Sequence, residues 1–519
     1  MASSGGTLAG WEPTGVKSLI ILNRGKRNYS PSIQGRIWLV CPVPQRYSAD
    51  MDVIDTPPTL PDPEHCRRAR LSRDPRFDGT FFLGVSTTGI YCRPVCPART
   101  PAEKNVSYFH LASQAAAAGY RPCLRCRPES APGSPAWNGT STTVQRALDL
   151  IDGGALRDGN MRQLADRLGI GERYLRKLFQ QELGISPVTV ALNQRLLFAK
   201  KLLSETNMPL TQVAFAAGFG SVRRFNSAVS EHFRLTPSQM RGRQKNTTGP
   251  GICLQLHYRP PYDWQGVVDF LSHHAVAGVE EITAERYRRQ LPDGTLEVSP
   301  ITGKDALQLR LEITDNRRLM TLVAQARRMF DLDANPDEIE AVLQQDRALG
   351  ALARRSPGAR SPGHWSLYES AVRAIVGQQV STVAARTVLS RLAQACSDNQ
   401  GECFPFPAAA KLAALQDEHF PMPGRRRDTL RQVCTRYSGR EQELTVEALA
   451  GFRGVGPWTV AMVSIRGAGD PDTFPGGDLG LQRAWEALEG NKNELKAATE
   501  RWRPWRAYAA NLLWRSLSA

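Results

Sequence analysis

Residues 87–100 are TTGIYCRPVCPART, in which three residues separate Cys92 from Cys96 in a stretch rich in proline and arginine. A second close pair, Cys123 and Cys126, follows in the stretch GYRPCLRCR. Two close cysteine pairs with 26 residues between them have the spacing of a tetrahedral zinc site made of four thiolates. Because this part of the chain has few apolar residues, the metal would supply much of its folding energy. The spacing alone leaves open whether the sulfurs form an inert structural clamp or a reactive centre.

The length and the cysteine content exclude several classes of protein. At 519 residues the chain is too long for one hydrophobic core, and roughly three to five domains are expected. Ten widely spaced cysteines, without a secretory leader, argue against a disulfide framework and for a reducing compartment. No apolar run reaches the roughly 18 residues that a membrane span needs. We therefore expect a cytoplasmic protein with no membrane partner.

The formal net charge is +16, and its distribution is uneven. Residues 61–135 carry 11 Lys and Arg against 6 Asp and Glu, and residues 136–245 carry 16 against 8. Residues 246–519 are nearly neutral, with 33 against 32. The front half therefore has the charge balance of a protein that binds a polyanion, whereas the back half must bind any nucleic acid through local geometry.

The pattern of apolar residues divides the chain into segments of different structure. The first 60 residues are rich in Ser, Gly and Pro and are predicted to be disordered, and Met51 is an alternative start. Strand candidates ICLQLHY and ALQLRLEIT lie around the helix candidate VVDFLSHHA, with helical patterns before and after them. We predict a multidomain fold, mainly α with α+β parts. Its segments are an N-terminal extension (1–60), a zinc domain (61–130), a linker (131–142), a double helix–turn–helix domain (143–241), a second linker (242–251), an α+β domain (252–335) and a helical domain (336–519).

The residues around the cysteines carry a resemblance to a known family. The stretches FDGTFFLGVSTTGIYCRPVCPAR, NVSYF and AAAAGYRPCLRC resemble the zinc domain of the Ada family of DNA-alkylation-repair regulators across nearly all of residues 66–130. The resemblance implies that Cys92 accepts a methyl group from a methylated DNA phosphotriester. It also implies that the other ligands of a single Zn²⁺ are Cys96, Cys123 and Cys126.

Elementary electrostatics makes this role reasonable. Zinc keeps a thiolate deprotonated at neutral pH and so supplies a nucleophile without a general base. Four thiolates on one zinc carry a formal charge of about −2, which repels phosphates but not a neutral phosphotriester. Methylation of Cys92 removes one negative charge, so the affinity for ordinary DNA should rise. The transfer is stoichiometric, because a thioether is not readily reversed.

Two similar helix–turn–helix passages follow. They are MRQLADRLGIGERYLRKLFQQELGISP (161–187) and PLTQVAFAAGFGSVRRFNSAVSEHFRLTP (209–237), joined by the helical stretch VALNQRLLFAKKLL. Together they resemble the AraC-type DNA-binding domain, in which each second helix would enter a major groove. The alternative for any one basic residue is a solvated face of a helix. The candidate base or phosphate contacts are Arg173, Arg176 and Lys177 on the first helix, and Ser221, Arg223, Arg224 and Asn226 on the second.

Near the C-terminus, the stretch FRGVGPWTVAMV (452–463) predicts a tight hairpin between two helices. Gly454 and Gly456 would let backbone N–H groups approach a phosphate, with a monovalent cation as a candidate ligand. Together with Asp478 in FPGGD, this stretch resembles the helix–hairpin–helix of base-excision glycosylases. The alternative is a purely structural turn between helices.

The resemblance implies that Asp478 is the catalytic carboxylate, which stabilises the positive charge that builds on the sugar when the N-glycosidic bond breaks. A methylated purine is already cationic and leaves without a strong acid. Bifunctional relatives carry a lysine where this chain has Trp458, so lyase chemistry is not expected. No cysteine follows Cys434, so no iron–sulfur cluster is expected.

Three further stretches, LHYRPPYDWQGVVDFLSHHAVAGVE, AVRAIVGQQVS and ERWRPWRAYAANLLW, resemble AlkA-type 3-methyladenine DNA glycosylase II over residues 252–519. The resemblance implies that Trp458 and Trp514 flank the extruded base, where aromatic faces favour a cationic ring. The alternative for these tryptophans is core packing.

Three more positions are carried over by the same resemblance. Gln379 occupies the place of the residue that wedges into the helix gap, where the better-known family pattern has leucine. Met462 stands where an aromatic residue can line the base pocket. Phe270 is a further pocket candidate, although phenylalanine is more often part of a core.

These observations give three hypotheses. The first is a fused alkylation-response protein of the bacterial cytoplasm and nucleoid, which accepts methyl groups, activates transcription with RNA polymerase, and excises bases such as 3-methyladenine from double-stranded DNA. The second makes the front half a DNA-targeting module with structural zinc. The third is a transcription factor with a degenerate glycosylase fold. The stretch PCHR is absent from the sequence, so the O6-methylguanine methyltransferase module of some Ada proteins is not expected.

Overall fold

The computed structural model describes the greater part of the chain beyond the N-terminal extension. The predicted extension, Met51 and most of the two predicted linkers lie outside the described residues. Within the described part, no helix has the length and apolar character to cross a membrane. The described residues are 62–123, 125–126, 128, 131, 142–157, 160–241, 251–397, 403–489 and 494–517.

The cysteine-containing segment is a small α+β unit. Its four strands lie in the order β3-β1-β2-β4, and all its neighbouring strands are antiparallel except β2 and β4. The parallel pair matters for the metal site, because β2 ends at Cys92 and the N–H of Cys123 donates to Tyr91 O at 2.9 Å. The elements are α1 (Pro63–Ser72), β1 (Phe82–Val85), β2 (Ile90–Cys92), β3 (Val106–Phe109), α2 (Ala112–Ala117) and β4 (Arg121–Pro122).

The next segment is helical and contains the same two-helix design twice. Gly169 and Gly218 have positive φ angles of 70° and 80° in the two turns, a conformation that favours glycine. The side chain of Ser186 accepts a hydrogen bond from the N–H of Thr189 and so caps the long joining helix α6. The helices are α3 (Thr142–Asp152), α4 (Met161–Arg167), α5 (Glu172–Leu183), α6 (Pro187–Glu205), α7 (Leu210–Ala216), α8 (Val222–Phe233) and α9 (Pro237–Arg241).

An antiparallel five-stranded sheet follows, in the order β5-β9-β8-β7-β6. The two predicted strands are β5 and β9, which pair with each other, and the predicted helix lies in α10. Alternate residues of β5 and β9 are buried, as expected for a sheet with one face on a core. The elements are β5 (Ile252–His257), α10 (Trp264–His274), β6 (Glu280–Ile282), β7 (Tyr287–Leu291), β8 (Gly294–Pro300), β9 (Ala306–Ile313) and α11 (Leu319–Met329).

The remaining described residues form two apolar cores from packed helices. Helix α19 continues directly into a π-helical turn, Ser464–Ala468, and α20 begins after the FPGGD stretch. The multidomain, mainly α prediction with α+β parts is confirmed. The helices are α12 (Pro336–Leu343), α13 (Leu349–Arg355), α14 (Leu367–Val376), α15 (Thr382–Ala395), α16 (Ala409–Ala414), α17 (Gly424–Arg436), α18 (Val446–Ala450), α19 (Pro457–Val463), α20 (Leu479–Glu489), α21 (Leu495–Arg501) and α22 (Arg506–Ser516).

Helix α6 joins the front of the protein to the sheet. Near its C-terminal end, the ammonium of Lys200 donates to Cys123 O at 3.0 Å. The next residue, Lys201, donates to Gln255 O on the edge strand β5, whose N–H donates in turn to the carboxylate of Glu205 at 2.9 Å. An edge strand with unpaired backbone groups is prone to unwanted pairing. Helix α6 therefore satisfies this edge and at the same time contacts the cysteine-rich loop.

A buried ion cluster joins the sheet to the helical domain. The guanidinium of Arg289 on β7 lies 2.6 Å from the carboxylate of Glu369 on α14. Arg373, one turn further along α14, lies 2.7 Å from Glu369 and 2.7 Å from Glu280 on β6. The exposure of these four side chains is 6% or less. Because these charges are buried away from water, each one is stabilised only while its oppositely charged partners remain in place.

We expect Glu369→Ala to lower the free energy of unfolding by about 3–5 kcal/mol, because it leaves two buried guanidinium groups sharing one carboxylate. Urea denaturation followed by circular dichroism measures this change. Glu443→Ala is the matched control, because Glu443 forms an exposed pair with Arg440 at 3.9 Å. Its effect should be within about 0.5 kcal/mol. Equal effects of the two substitutions would contradict the role given to the cluster.

Candidate functional site

The four predicted zinc ligands converge. The sulfur atoms of Cys92, Cys96, Cys123 and Cys126 all lie within 4.8 Å of one another, and those of Cys96 and Cys123 are 4.0 Å apart. Tetrahedral zinc with bonds of about 2.3 Å places sulfurs about 3.8 Å apart. The number, chemistry and spacing of the ligands therefore fit one Zn²⁺, and the zinc prediction is confirmed.

Arg93 holds the two cysteine pairs together. Its backbone N–H points at the sulfur of Cys126 at 3.4 Å, and its guanidinium donates to Cys126 O at 2.9 Å. The same guanidinium pairs with the buried carboxylate of Asp78, with Nε 2.7 Å from Oδ1. Sequence reasoning missed both residues, because Asp78 lies 15 residues before Arg93 and nothing in the spacing links them. Partners of this kind orient the ligands and tune the metal.

The ligands differ in exposure. Cys92, the predicted methyl acceptor, is 8% exposed, and Cys96 is the most accessible of the four. Access to the sulfur of Cys92 is therefore restricted in this conformation. The structure places Cys92 at the end of a strand, where its backbone is fixed by pairing with Leu83.

The second helix of each helix–turn–helix passage has one buried and one exposed face. Leu175, Phe179 and Leu183 are buried on α5, and Phe225, Val229 and Phe233 on α8. The opposite faces carry the predicted contacts and are free of the core. The exposed predicted residues are Arg173, Arg176, Lys177, Arg223, Arg224 and Asn226.

Ser221 differs from the other predicted contacts. Its hydroxyl oxygen accepts a hydrogen bond from the N–H of Arg224 at 3.3 Å, which makes Ser221 the N-cap of α8. A serine directly before a helix is the usual sequence signal for this role. Its side chain therefore has a structural partner already.

The glycine hairpin lies between α18 and α19. Gly454 has a φ angle of 90°, and a Cβ at this position would lie 2.2 Å from Thr429 Oγ1. The carbonyl of Gly454 accepts a hydrogen bond from Gln378 at 2.9 Å, and that of Arg453 accepts one from Thr429 at 3.0 Å. A Cβ at Gly456 would meet nothing within 4 Å. Close packing therefore requires glycine at the first position, whereas the second leaves open space for an approaching group.

Asp478 is held by three N–H donors. The indole of Trp458 donates to Oδ2 at 2.8 Å, and the indole of Trp514 donates to Oδ1 at 3.1 Å. The backbone N–H of Leu481 donates to Oδ1 at 3.0 Å, so the carboxylate also caps α20. A Cβ at Gly480 would lie 3.0 Å from Oδ1, so the small residue leaves room for the carboxylate. Such donors fix the direction of the carboxylate.

Sequence reasoning gave Trp458 and Trp514 a different role, as walls for the base. The structure brings them together at Asp478, with their indole N–H groups on its two oxygens. Both are half-buried, so their ring faces remain partly available. Met462, one turn after Trp458 on α19, is also half-buried and packs against the helical core.

Phe270 lies beside charged and polar groups that sequence reasoning missed. Its ring packs on His274, with ring centroids 4.3 Å apart, and Arg466 Cζ lies 4.2 Å from its centroid. Burial lowers the pKa of His274 to about 3, and its Nδ1–H donates to Phe270 O, so the imidazole is neutral. Burial lowers the pKa of Arg466 to about 9, so the guanidinium stays charged at neutral pH.

Gln379 lies at the exposed tip between α14 and α15. Its φ angle is 56°, in the left-handed region that residues other than glycine rarely adopt. Two apolar neighbours are also exposed, Val380 by 40% and Val383 by 57%. The tip therefore presents an amide flanked by apolar side chains, and the valines were not predicted.

Three family models match successive parts of the chain. The model described as the metal binding domain of Ada matches residues 65–129. A helix-turn-helix domain matches residues 164–243, and the AlkA N-terminal domain matches residues 253–366. These matches confirm the Ada-type zinc segment, the helix–turn–helix segment and the AlkA-type segment that begins the back half.

The relatives cover both halves. The probable bifunctional transcriptional activator/DNA repair enzyme AlkA of Mycobacterium tuberculosis is 40% identical over 480 residues, covering 88% of this chain and 96% of that protein. DNA-3-methyladenine glycosylase 2 of Escherichia coli is 29% identical over 50% of this chain and 95% of its own. The bifunctional transcriptional activator/DNA repair enzyme Ada of Escherichia coli is 33% identical over 33% of this chain and 47% of its own.

We expect the purified protein to contain one zinc ion per chain, measured by plasma mass spectrometry. Cys126→Ala should lose the ion on gel filtration, because three thiolates leave one coordination position open. Asp78→Ala should weaken zinc binding about 10–100-fold, because Arg93 loses its anchor. Cys66→Ala is the control, since Cys66 is buried in α1 and lies outside the cluster. Zinc loss in this control equal to that in Cys126→Ala would contradict the assignment.

Proposed function

Because the chain belongs to the family of bifunctional transcriptional activator/DNA repair enzymes that fuse an Ada-type front to an AlkA-type back, we propose that it repairs alkylated DNA at two separate sites. The back half is a DNA glycosylase that excises alkylated bases such as 3-methyladenine. The front half accepts methyl groups from DNA phosphotriesters and activates transcription. The observation that carries the glycosylase is the carboxylate of Asp478, fixed by two indole N–H groups and one backbone N–H beside a glycine hairpin.

In the glycosylase step, the bond between C1′ and the base nitrogen breaks and the electron pair leaves with the base. Asp478 stabilises the positive charge on the sugar, and water then adds its hydroxyl to C1′ and loses its proton to the solvent. The three N–H donors hold the carboxylate in one direction. Gln379 and its apolar neighbours fill the gap left by the extruded base, and Trp458, Trp514, Met462 and Phe270 surround that base.

The hairpin supports DNA binding by the back half. Gly454 and Gly456 leave backbone groups open to a DNA phosphate, and a monovalent cation held there would supply further positive charge toward that phosphate. This local contact suits a half that carries almost no net charge. No Schiff base forms, because Trp458 occupies the position of the lysine that such chemistry needs.

In the methyl transfer, the thiolate of Cys92 attacks the methyl carbon of the phosphotriester. An S–C bond forms, the O–C bond breaks, and the phosphate oxygen keeps the electron pair as an ordinary phosphodiester. Zinc, when bound, keeps the sulfur deprotonated. The product is a thioether with no negative charge, so the front half binds DNA more strongly and recruits RNA polymerase at promoters.

A second function for the front half is favoured by the restricted access to Cys92. With 8% exposure at this residue and four ligands that complete a tetrahedron, the zinc is also compatible with a structural clamp. In this alternative the front half is a DNA-targeting module for the glycosylase. The two functions differ in whether Cys92 gains mass.

We expect the two activities to separate cleanly in variants. After incubation with methylated DNA, intact-mass analysis should show the gain of one methyl group on the wild type and on Asp478→Asn, but not on Cys92→Ala. Chromatography of released bases should show 3-methyladenine from the wild type and Cys92→Ala. Release by Asp478→Asn should fall by at least roughly 100-fold, as for the loss of other transition-state stabilisers.

An unchanged mass of the wild type in this experiment supports the targeting module. An absence of released purine would mean that the glycosylase fold is degenerate. Both results together would contradict the whole proposal.

We expect the exposed basic residues of α5 to set the salt dependence of DNA binding. Changing Arg173, Arg176 or Lys177 to alanine should reduce the slope of log affinity against log salt by about one for each phosphate contact removed. Fluorescence anisotropy with a labelled duplex measures the slope. Arg310→Ala is the control, because Arg310 lies on β9 and pairs with Glu312 at 3.3 Å. An equal change in the control would show that only net charge matters.

A further inference from the structure

Gln378 connects the exposed tip between α14 and α15 to the glycine hairpin. Its side-chain Nε2 donates to Gly454 O at 2.9 Å and to Thr459 Oγ1 at 2.9 Å. Gly454 lies in the hairpin, and Thr459 is a buried residue of α19, 2% exposed. The next residue in the chain is Gln379, which is exposed at the tip. One amide group therefore joins three elements that the proposed glycosylase uses.

The backbone at the tip has a conformation that its surroundings must maintain. The φ angle of Gln379 is 56°, and a residue other than glycine keeps such an angle only where neighbouring contacts enforce it. After the tip, the hydroxyl oxygen of Ser381 accepts from the N–H of Ala384 at 3.3 Å and so caps α15. Before the tip, the two hydrogen bonds of Gln378 fix the chain against the hairpin and α19. Gln379 therefore lies between two anchored neighbours, and one of the anchors is the hairpin.

Helix α17 holds the same two elements together from another side. The hydroxyl of Thr429 donates to Arg453 O at 3.0 Å, and its Oγ1 would lie 2.2 Å from a Cβ at Gly454. In the first turn of this helix, Arg426 donates to Val376 O at 3.4 Å, at the end of α14. The hairpin and the tip are therefore parts of one packed assembly, through which a displacement of one is transmitted to the other.

We propose that Gln378 is a positioning residue that couples binding of the DNA backbone at the hairpin to insertion of Gln379 into the gap left by the extruded base. This inference rests on the glycosylase function proposed above. When a phosphate binds at the hairpin, the tip is placed against the duplex at the same time, because the amide of Gln378 spans the two. Gln379 then stabilises the extruded state before the glycosidic bond breaks.

The role requires a hydrogen-bond donor at this position, because both partners of Nε2 are oxygen atoms. Methionine has nearly the same length and no donor, so Gln378→Met removes the anchor with little change in volume. The loss of two hydrogen bonds corresponds to about ten-fold or more in an equilibrium constant. This factor lowers the population of the extruded state, whereas the step that Asp478 performs on a base already extruded is unchanged.

The test compares two duplexes that carry N7-methylguanine, one opposite cytosine and one opposite an abasic-site analogue. Extrusion costs less in the second duplex, because the damaged base has no pairing partner. Single-turnover excision rates are measured with the full-length, zinc-loaded protein. In Gln378→Met, we expect the rate on the paired duplex to fall about ten-fold or more, and the rate on the second duplex to stay within about three-fold of the wild type. Gln432→Met is the control, because Gln432 is an exposed residue of α17, and both of its rates should equal those of the wild type.

A double variant tests whether Gln378 acts through Gln379. Gln379→Ala alone should show the same pattern, a loss on the paired duplex and recovery on the second. If both residues act in one step, adding Gln378→Met to Gln379→Ala should lower the paired-duplex rate by no more than about two-fold further. If Gln378→Met does not fold, as judged by circular dichroism, Thr459→Val decides the outcome. It removes one of the two acceptors and should lower only the paired-duplex rate, by about three-fold.

The inference is wrong if the folded variants keep the wild-type ratio of the two rates, because Gln378 would then support the carboxylate or the fold and not extrusion. It is also wrong if the effects of Gln378→Met and Gln379→Ala multiply. A wild-type protein that releases no methylguanine from either duplex contradicts the proposed glycosylase function instead. The two failures are therefore distinguishable.

Discussion

The carboxylate of Asp478 constrains the whole helical domain. Its three N–H donors come from α19, α20 and α22, so these helices must converge on one point. The close approach in turn depends on small residues, because a Cβ at Gly454 or Gly480 would press on its neighbours. The same constraint that aims the carboxylate therefore also determines how the hairpin and the last helix pack.

The zinc site is also a negatively charged centre, and here a charged guanidinium lies next to it. Four thiolates and one zinc leave a net negative centre, and the backbone N–H and guanidinium of Arg93 lie against Cys126. Asp78 then balances Arg93. N–H donors are present in both sites: Arg93 contacts Cys126, and three N–H groups contact the carboxylate of Asp478. The side-chain donors, Arg93, Trp458 and Trp514, are large and also pack against their neighbours. A substitution that alters this packing therefore also alters the hydrogen bonds to the two sites.

Short spacing was enough to predict some of these features and not others. Cys92, Cys96, Cys123 and Cys126 could be assigned because metal ligands come in close pairs. The two indole donors to Asp478 lie 20 and 36 residues away from it, and only the packing of α19 and α22 brings them to the carboxylate. The paired strands and the helix of the α+β domain followed from alternation and periodicity, which are local properties.

Arg466 is the clearest case of a side chain whose surroundings the sequence does not reveal. An arginine in the stretch MVSIRGAG suggests a solvated side chain, yet the π-helical turn directs it to Pro362 O and Asn511. Ser221 shows the reverse case. Its position before α8 is a local capping signal and the cap is present, while the DNA contact that the resemblance implies for it stays a prediction.

The positive charge of the chain is concentrated in its front half. The front carries a positive excess that attracts a polyanion such as DNA over a distance, whereas the back is nearly neutral. Helix α6 contacts both, through Lys200 on the carbonyl of Cys123 and Lys201 on the carbonyl of Gln255. A front half held on DNA by long-range attraction therefore keeps the neutral half close to the same duplex, which raises its effective concentration there without further charge. A more basic back half would bind every undamaged phosphate more strongly. Its preference for damaged over undamaged DNA would then be smaller.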